Sequence, residues 1–229
     1  RSISLPRTLG LSVNNITTLV IVSFASLLGA GAVSLFTLAN NIFNVPVNII
    51  GTSLGTVSFP TLVTLFQSGN YRESRSIMKT IIRNIFAVSI LAIIVVFFCK
   101  QIIIGLLLGS GNFSPEHFQT ITTMLMVFMV GLASQCSVAV LVRGWYAMGE
   151  TRTPLYINLI SQLTIISTVV ISFYGLPDSA LAHTIATVAA ITPDQVRLLA
   201  LPFTLTIGNT INAIWLYRRY MNKMKVLIG

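Results

Sequence analysis

Apolar residues fill this chain in stretches of about twenty, set off by charged residues, and they do not alternate with polar ones at the two-residue period of a half-buried strand. Between Arg7 and Arg72 lie 64 residues without one Asp, Glu, Lys or Arg. A hydrocarbon core about 30 Å thick takes about 20 apolar residues per crossing helix. That run therefore holds two helices, joined at the small-residue turn Gly29-Ala30-Gly31-Ala32. Along the whole chain the pattern predicts six spans, over about 8–28, 34–66, 80–99, 118–142, 153–177 and 198–217. In the third, the charge-free part runs from Asn84 to Cys99, Lys100 reaches toward the headgroups, and Ile102 to Leu108 follow as an interfacial turn. A backbone in hydrocarbon must satisfy its own hydrogen bonds, and continuous apolar runs do so as helices. The expected fold is an all-α membrane protein, six transmembrane helices forming one bundle, and not a β-barrel.

Composition agrees and adds an orientation. Hydrophobic residues make up 54% of the chain and charged ones 8%, and the mean hydropathy is +0.86, outside the range of a water-soluble domain. Of the 14 basic residues, all but Lys100 and Arg197 fall on one side of the predicted topology: Arg1 and Arg7, Arg72 to Arg83, Arg143 and Arg152, and Arg218 to Lys225. Short loops rich in Lys and Arg stay in the cytoplasm, so both termini are expected there. The net charge of +9 is thus a topology signal that also suits membrane lipids. Without a soluble module or an aromatic-lined basic groove, it gives no nucleic-acid reading. Cys99 and Cys136 lie in apolar segments with no metal-ligand or CxxC spacing and read as packing residues. The chain starts at Arg and no signal peptide precedes the first helix, which reads as a piece of a longer protein.

Polar residues at mid-depth change the picture, because polar groups in lipid are costly unless paired or wet. The first helix carries Asn14, Asn15, Thr17 and Thr18, the second Asn40, Asn41, Asn44 and Asn48. The fifth carries Asn158, Ser161 and Gln162, and the sixth Thr204, Thr206, Asn209, Thr210 and Asn212. Taken singly, such asparagines are interhelical glue. Asn41, Asn44 and Asn48 share one stripe by spacing, which reads as a cavity wall. Pro46, Gly51, Gly55 and Pro60 mark the second helix as bent or locally unwound, and Pro202 does the same for the sixth, as a hinge or as a static kink. No acid lies inside a predicted span, which leaves no proton relay or carboxylate sodium site of the usual kind. His117 and His183 fall in loops, and no phosphate-binding loop or hydrolase constellation is present, so catalytic residues, metal and cofactors are expected to be none.

Several segments together carry a family resemblance. Arg143-Gly-Trp-Tyr-Ala-Met-Gly-Glu-Thr-Arg-Thr-Pro154 is the strongest. Gly111-Asn112-Phe113-Ser114 follows an apolar run and reads as a turn motif, and the second helix contributes Leu38 to Ile42, Pro46, Ile50-Gly51 and Gly55 to Pro60. Leu5-Pro6-Arg7 opens the first span. In this order the segments resemble the lipid II flippase family (MurJ, also called MviN) of the multidrug/oligosaccharidyl-lipid/polysaccharide exporter superfamily, over nearly the whole chain. The resemblance implies the second of two six-helix lobes, with an N-terminal lobe missing. Rocking of the lobes would move an undecaprenyl-pyrophosphate type of lipid-linked oligosaccharide across the bacterial inner membrane. It implies transport rather than an enzyme, and a substrate cavity drawing on Arg7, Asn14, Asn15, Asn40, Asn41, Asn44 and Arg143. Many family members carry an arginine where this sequence has Asn41, a departure in headgroup binding. The stretch from Leu176 to Gln195 is longer than the family's usual turn and is expected to form a short outer-face helix. A polysaccharide-repeat flippase, a multidrug exporter of the same superfamily and a non-transporting membrane remnant or scaffold are the rival readings.

Overall fold

The computed structural model describes residues 4–29, 31–108, 115–175 and 193–229, with side chains over 14–29, 31–105, 117–175 and 196–229. Every regular element among them is a helix, as the unbroken apolar runs require. Helix α1 (Ser4–Ser26) leads to α2 (Ala32–Val47) through the expected turn, where Gly29 and Gly31 have φ of +113° and +91°, conformations a side chain would disfavour. Then α2 runs through a π turn (Asn48–Thr52) into α3 (Ser53–Gln67), the three making one rod from Ala32 to Gln67. The remaining helices are α4 (Tyr71–Leu108), α5 (Pro115–Val130), α6 (Leu132–Ala147), α7 (Arg152–Gly175) and α8 (Pro193–Ile228).

Three of the expected helices take a different form. The third covers 38 residues as α4, so Arg72 to Arg83 are helical rather than a loop, and Ile102 to Leu108 continue the helix instead of turning. Nothing in the segment breaks a helix except Gly105, and at 1.5 Å per residue it is about 57 Å long, far more than a bilayer core. Likewise α8 continues past Tyr217 to Ile228. The fourth helix is bent by 48° at Gly131, between α5 and α6. The backbone explains the bend: the Gly131 N–H donates to the Phe128 carbonyl (2.9 Å), three residues back, instead of to Val127. The freed Val127 carbonyl accepts from the Thr206 hydroxyl of α8 (3.5 Å), so a neighbouring helix satisfies the group that the bend releases. Gly131 is needed there, since a Cβ would lie 2.9 Å from Thr206 Oγ1. Thr206→Val is expected to cost about 1 kcal/mol in a detergent unfolding titration, because the half-buried Val127 carbonyl then loses its partner.

Four rods are long and apolar enough to cross a membrane, namely α2–α3, α4, α7 and α8, and the bent α5–α6 pair makes a fifth. The described apolar part of α1, Asn14–Ser26, is shorter than a span, so the sixth crossing rests on the sequence pattern. The turn Gly111 to Ser114 and the stretch 176–192, for which an outer helix was expected, lie outside the described residues.

The α5–α6 rod forms the centre. Met124, Leu132, Cys136, Val140 and Leu141 are fully buried along it. Phe43 of α2 stacks on Phe128 at 5.0 Å. By contrast α4 faces outward: 11% of its most apolar 18-residue stretch is buried, leaving Phe86, Leu91, Phe97 and Phe98 exposed to lipid. At the basic end, the first turns of α4, the α6–α7 connection and the last turns of α8 pack into a cap. Ser74 and Tyr220 hydroxyls lie 3.4 Å apart, and Met78, Tyr220 and Met224 are fully buried. Gly149 (φ +72°) ends α6 with the Glu150 N–H returning to Trp145 O (3.1 Å). Glu150 so placed accepts from Thr153 and pairs with Lys223, whose ammonium lies 5.4 Å from the Trp145 ring centre. This packing is why α4 and α8 stay helical beyond the apolar zone.

Candidate functional site

Along the α2–π–α3 rod, Ser34, Thr37, Asn41, Asn48, Thr52 and Thr56 are all exposed. They follow at intervals of three, four, seven, four and four residues, and so keep to one face. Their side-chain bonds stay within the rod: Thr52 to Asn48 (3.4 Å) and Thr56 to the Thr52 carbonyl (2.8 Å). Among the described residues, no other helix of this chain covers the stripe. Broken only at the exposed Val45 between Asn41 and Asn48, such a line of amides and hydroxyls on a membrane rod is better placed against water or another protein surface than against lipid. The stripe expected from the sequence thus keeps Asn41 and Asn48, and is extended by hydroxyl residues that sequence reasoning passed over although they continue the same spacing.

Asn40 and Asn44 turn the other way. Asn44 donates to the Asn40 carbonyl (2.9 Å), and both line a partly open cavity of about 70 Å³ with Gln135, Thr206 and Asn209 at the Gly131 bend. Gln135 Oε1 is buried there without a protein partner. A polar space of this size suits one or two ordered waters. Asn41 instead borders an apolar groove of about 580 Å³ between α2, α4 and α5, beside Val45, Ile49, Val96 and Met129.

Asn14 and Asn15 are exposed on α1, and Asn14 Oδ1 accepts from Asn158 Nδ2 of α7 (3.1 Å). Asn158 Oδ1 in turn accepts from Gln162 (3.3 Å) and from Asn212 of α8 (3.3 Å). This amide network ties α1, α7 and α8 together, and was legible only as separate polar residues. Thr210 adds a stitch from α8 to Ser134 of α6 (3.1 Å). Asn14, Asn158, Gln162, Asn212 and Thr210 thus join helices through these bonds.

Arg143 is half-buried near the end of α6. Its guanidinium donates to its own Ala139 carbonyl (3.3 Å) and lies over Gly55 of α3, where any Cβ would overlap it. No carboxylate pairs with it among the described residues, since the ion pair there is Lys223–Glu150. Arg7 lies on α1, and its side chain is outside the described set. Of the expected hinge residues, Pro46 lies two residues before the start of the π turn and Gly51 lies in it, approaching α6 so closely that a Cβ would sit 2.8 Å from Cys136 Cα. Pro60 and Pro202 lie inside α3 and α8, and each rod continues through them. The sharp bend of the bundle is at Gly131 instead.

These features define a multi-pass integral membrane protein, an all-α bundle with lipid-facing flanks and one uncovered polar rod. The family model for "Lipid II flippase MurJ" matches residues 2–228, and the chain belongs to that family. It is similar to the probable lipid II flippase MurJ of Thermotoga maritima, 28% identical over 181 residues, covering 78% of this chain and 37% of that protein. The probable lipid II flippase MurJ of Buchnera aphidicola is 29% identical over 158 residues, covering 69% of this chain and 31% of its own length. A solved structure titled "Lipid II flippase MurJ, inward closed conformation" superposes with a TM-score of 0.73 at 18% identity, over 97% of this chain and 44% of that one. The fold is therefore that of one part of such a protein, and the chain spans about a third of the length of the curated relatives it matches.

Proposed function

We propose that this chain is the C-terminal lobe of a two-lobe transporter that moves the lipid-linked peptidoglycan precursor lipid II across the bacterial inner membrane by alternating access. The observation that carries the reading is the uncovered polar stripe on α2–π–α3, in a chain of the lipid II flippase family. A pyrophosphate-linked sugar cannot cross hydrocarbon without a wet, hydrogen-bonding path, and a stripe of hydroxyls and amides supplies one wall of it. The preceding lobe supplies the opposite wall and covers the stripe when the two rock together. Arg143, unpaired with any described acid and seated against α3 beneath the stripe's last residues, is the cation this lobe offers to the pyrophosphate. No bond is made or broken in this cycle. The basic cap faces the cytoplasm together with both chain ends, following the charge asymmetry. The six-span bundle of residues 1–229 is then a single lobe.

Complementation tests it. Cells depleted of their own lipid II flippase receive this chain joined to a preceding lobe, as wild type, Arg143→Ala and Asn41→Arg. Growth is expected with the joined wild type and with Asn41→Arg, which restores the arginine common in the family. Arg143→Ala is expected to lose it at equal expression. A well-expressed joined protein that fails to restore growth removes the lipid II assignment, while growth indifferent to Arg143→Ala removes that arginine from the path.

A further inference from the structure

The outer face of α8 changes chemistry within three turns. Ile211 and Ile214 are 36% and 49% exposed, Trp215 is half-buried, and Arg218, Arg219 and Asn222 are exposed beyond them. Spacings of three and four residues put all six on one face, where they line a shallow recess of about 410 Å³. Its lower half is aliphatic, its middle an indole, and its upper half two guanidinium groups and an amide. Indole rings settle at the boundary between hydrocarbon and headgroups, so Trp215 marks where the bilayer core ends and the basic cap begins. The inward side of the same turns is already engaged, Lys223 with Glu150 and Tyr220 with Ser74. Arg218 and Arg219 have no carboxylate partner among the described residues.

We propose that this recess is a binding site for an anionic phospholipid. The phosphate sits between the Arg218 and Arg219 guanidinium groups with Asn222 donating to it, and an acyl chain runs down over Trp215 onto Ile214 and Ile211. The charge complementarity is specific to an anionic amphiphile. A soluble anion would leave the aliphatic half bare, and a zwitterionic lipid would bring its own cation against two arginines. The recess is built from α8 alone and shares no residue with the polar stripe of α2–π–α3, so the site is independent of the transported molecule. A lipid held there pins the C-terminal end of α8, and with it the cap that α8 forms with α4 and α6, at a fixed depth in the membrane.

Trp215 is its own reporter, because the other tryptophan, Trp145, is 2% exposed. The full chain is reconstituted in phosphatidylcholine bilayers containing a minority of phosphatidylglycerol, with bromine on the acyl chains of one lipid or the other at equal mole fraction. Brominated phosphatidylglycerol is expected to quench Trp215 severalfold more than brominated phosphatidylcholine. Arg218→Gln/Arg219→Gln is expected to abolish that excess, and Arg218→Lys/Arg219→Lys to retain most of it. Arg72→Gln/Lys79→Gln, which removes the same charge from exposed positions of α4, is expected to leave it unchanged. Equal quenching by the two lipids overturns the site. So does an excess that survives Arg218→Gln/Arg219→Gln, or one lost equally with Arg72→Gln/Lys79→Gln, which would be diffuse attraction to the cap. A Trp215 that neither lipid quenches overturns it too, by placing protein over the recess.

Discussion

Asn158→Leu is expected to destabilise the bundle by about 2–4 kcal/mol, although leucine is close in size and better suited to lipid. Asn158 is where three helices exchange hydrogen bonds, donating to Asn14 and accepting from Gln162 and Asn212. A single interhelical hydrogen bond in a membrane averages about 0.6 kcal/mol, so losing the two interhelical contacts, to Asn14 and from Asn212, would by itself account for about 1 kcal/mol. The rest comes from what is left behind: Asn212 is 2% exposed and its Oδ1 already lacks a protein partner, so without Asn158 the whole amide is stranded. Reversible unfolding in mixed detergent micelles measures the loss. A double-mutant cycle between Asn158→Ala and Asn212→Ala is expected to give a coupling of about 0.6–1.7 kcal/mol. A loss below about 0.5 kcal/mol for Asn158→Leu would mean that water satisfies these amides and the network is a wet surface.

The second large effect is expected at Gly51. In Gly51→Val the new Cβ meets Cys136 Cα at 2.8 Å, a backbone atom that cannot rotate away, so the α2–α3 rod must lift off α6. Overpacking of this kind costs about 3 kcal/mol or more when only backbone can yield. Cys136→Gly, which removes the next atoms, Cβ at 3.1 Å and Sγ at 3.3 Å, is expected to rescue little, because the closest contact remains. Gly55→Ala one turn on gives the contrast. There the neighbour is the end of the Arg143 side chain, which can swing aside, so stability is expected to fall by less than about 1 kcal/mol. Thermal unfolding in detergent ranks the two, and full recovery of Gly51→Val by Cys136→Gly would show that the side chain, not the backbone, sets the contact.

Both effects concern how rods meet, and that was the part least legible from the residues. Asn14, Asn158, Gln162 and Asn212 were visible as polar residues in apolar helices, but nothing in their spacing said that they meet one another. Asn40 and Asn41 are neighbours in sequence, yet one lines a small polar cavity and the other borders an apolar groove. Arg143 was singled out by its motif, while its seat on Gly55 depends on how closely α3 and α6 approach. The bend at Gly131 left no signal of its own kind: prolines mark kinks, and the prolines of α3 and α8 sit inside continuous rods.

By itself the sequence determined that the chain lives in a membrane, where most of its helices lie, which turn joins the first two, and to which family it belongs. Each follows from a property that is local along the chain: the length of an apolar run, two glycines at a turn, an ordered set of short motifs. Tertiary structure alone decided which face of each helix meets protein, how far α4 and α8 extend into the basic cap, and where the bundle bends. In water, hydropathy separates the buried face of a helix from the exposed one. In lipid both faces are apolar, so that contrast is lost, and the choice passes to close backbone approach at glycines and to polar groups that find partners only on another helix.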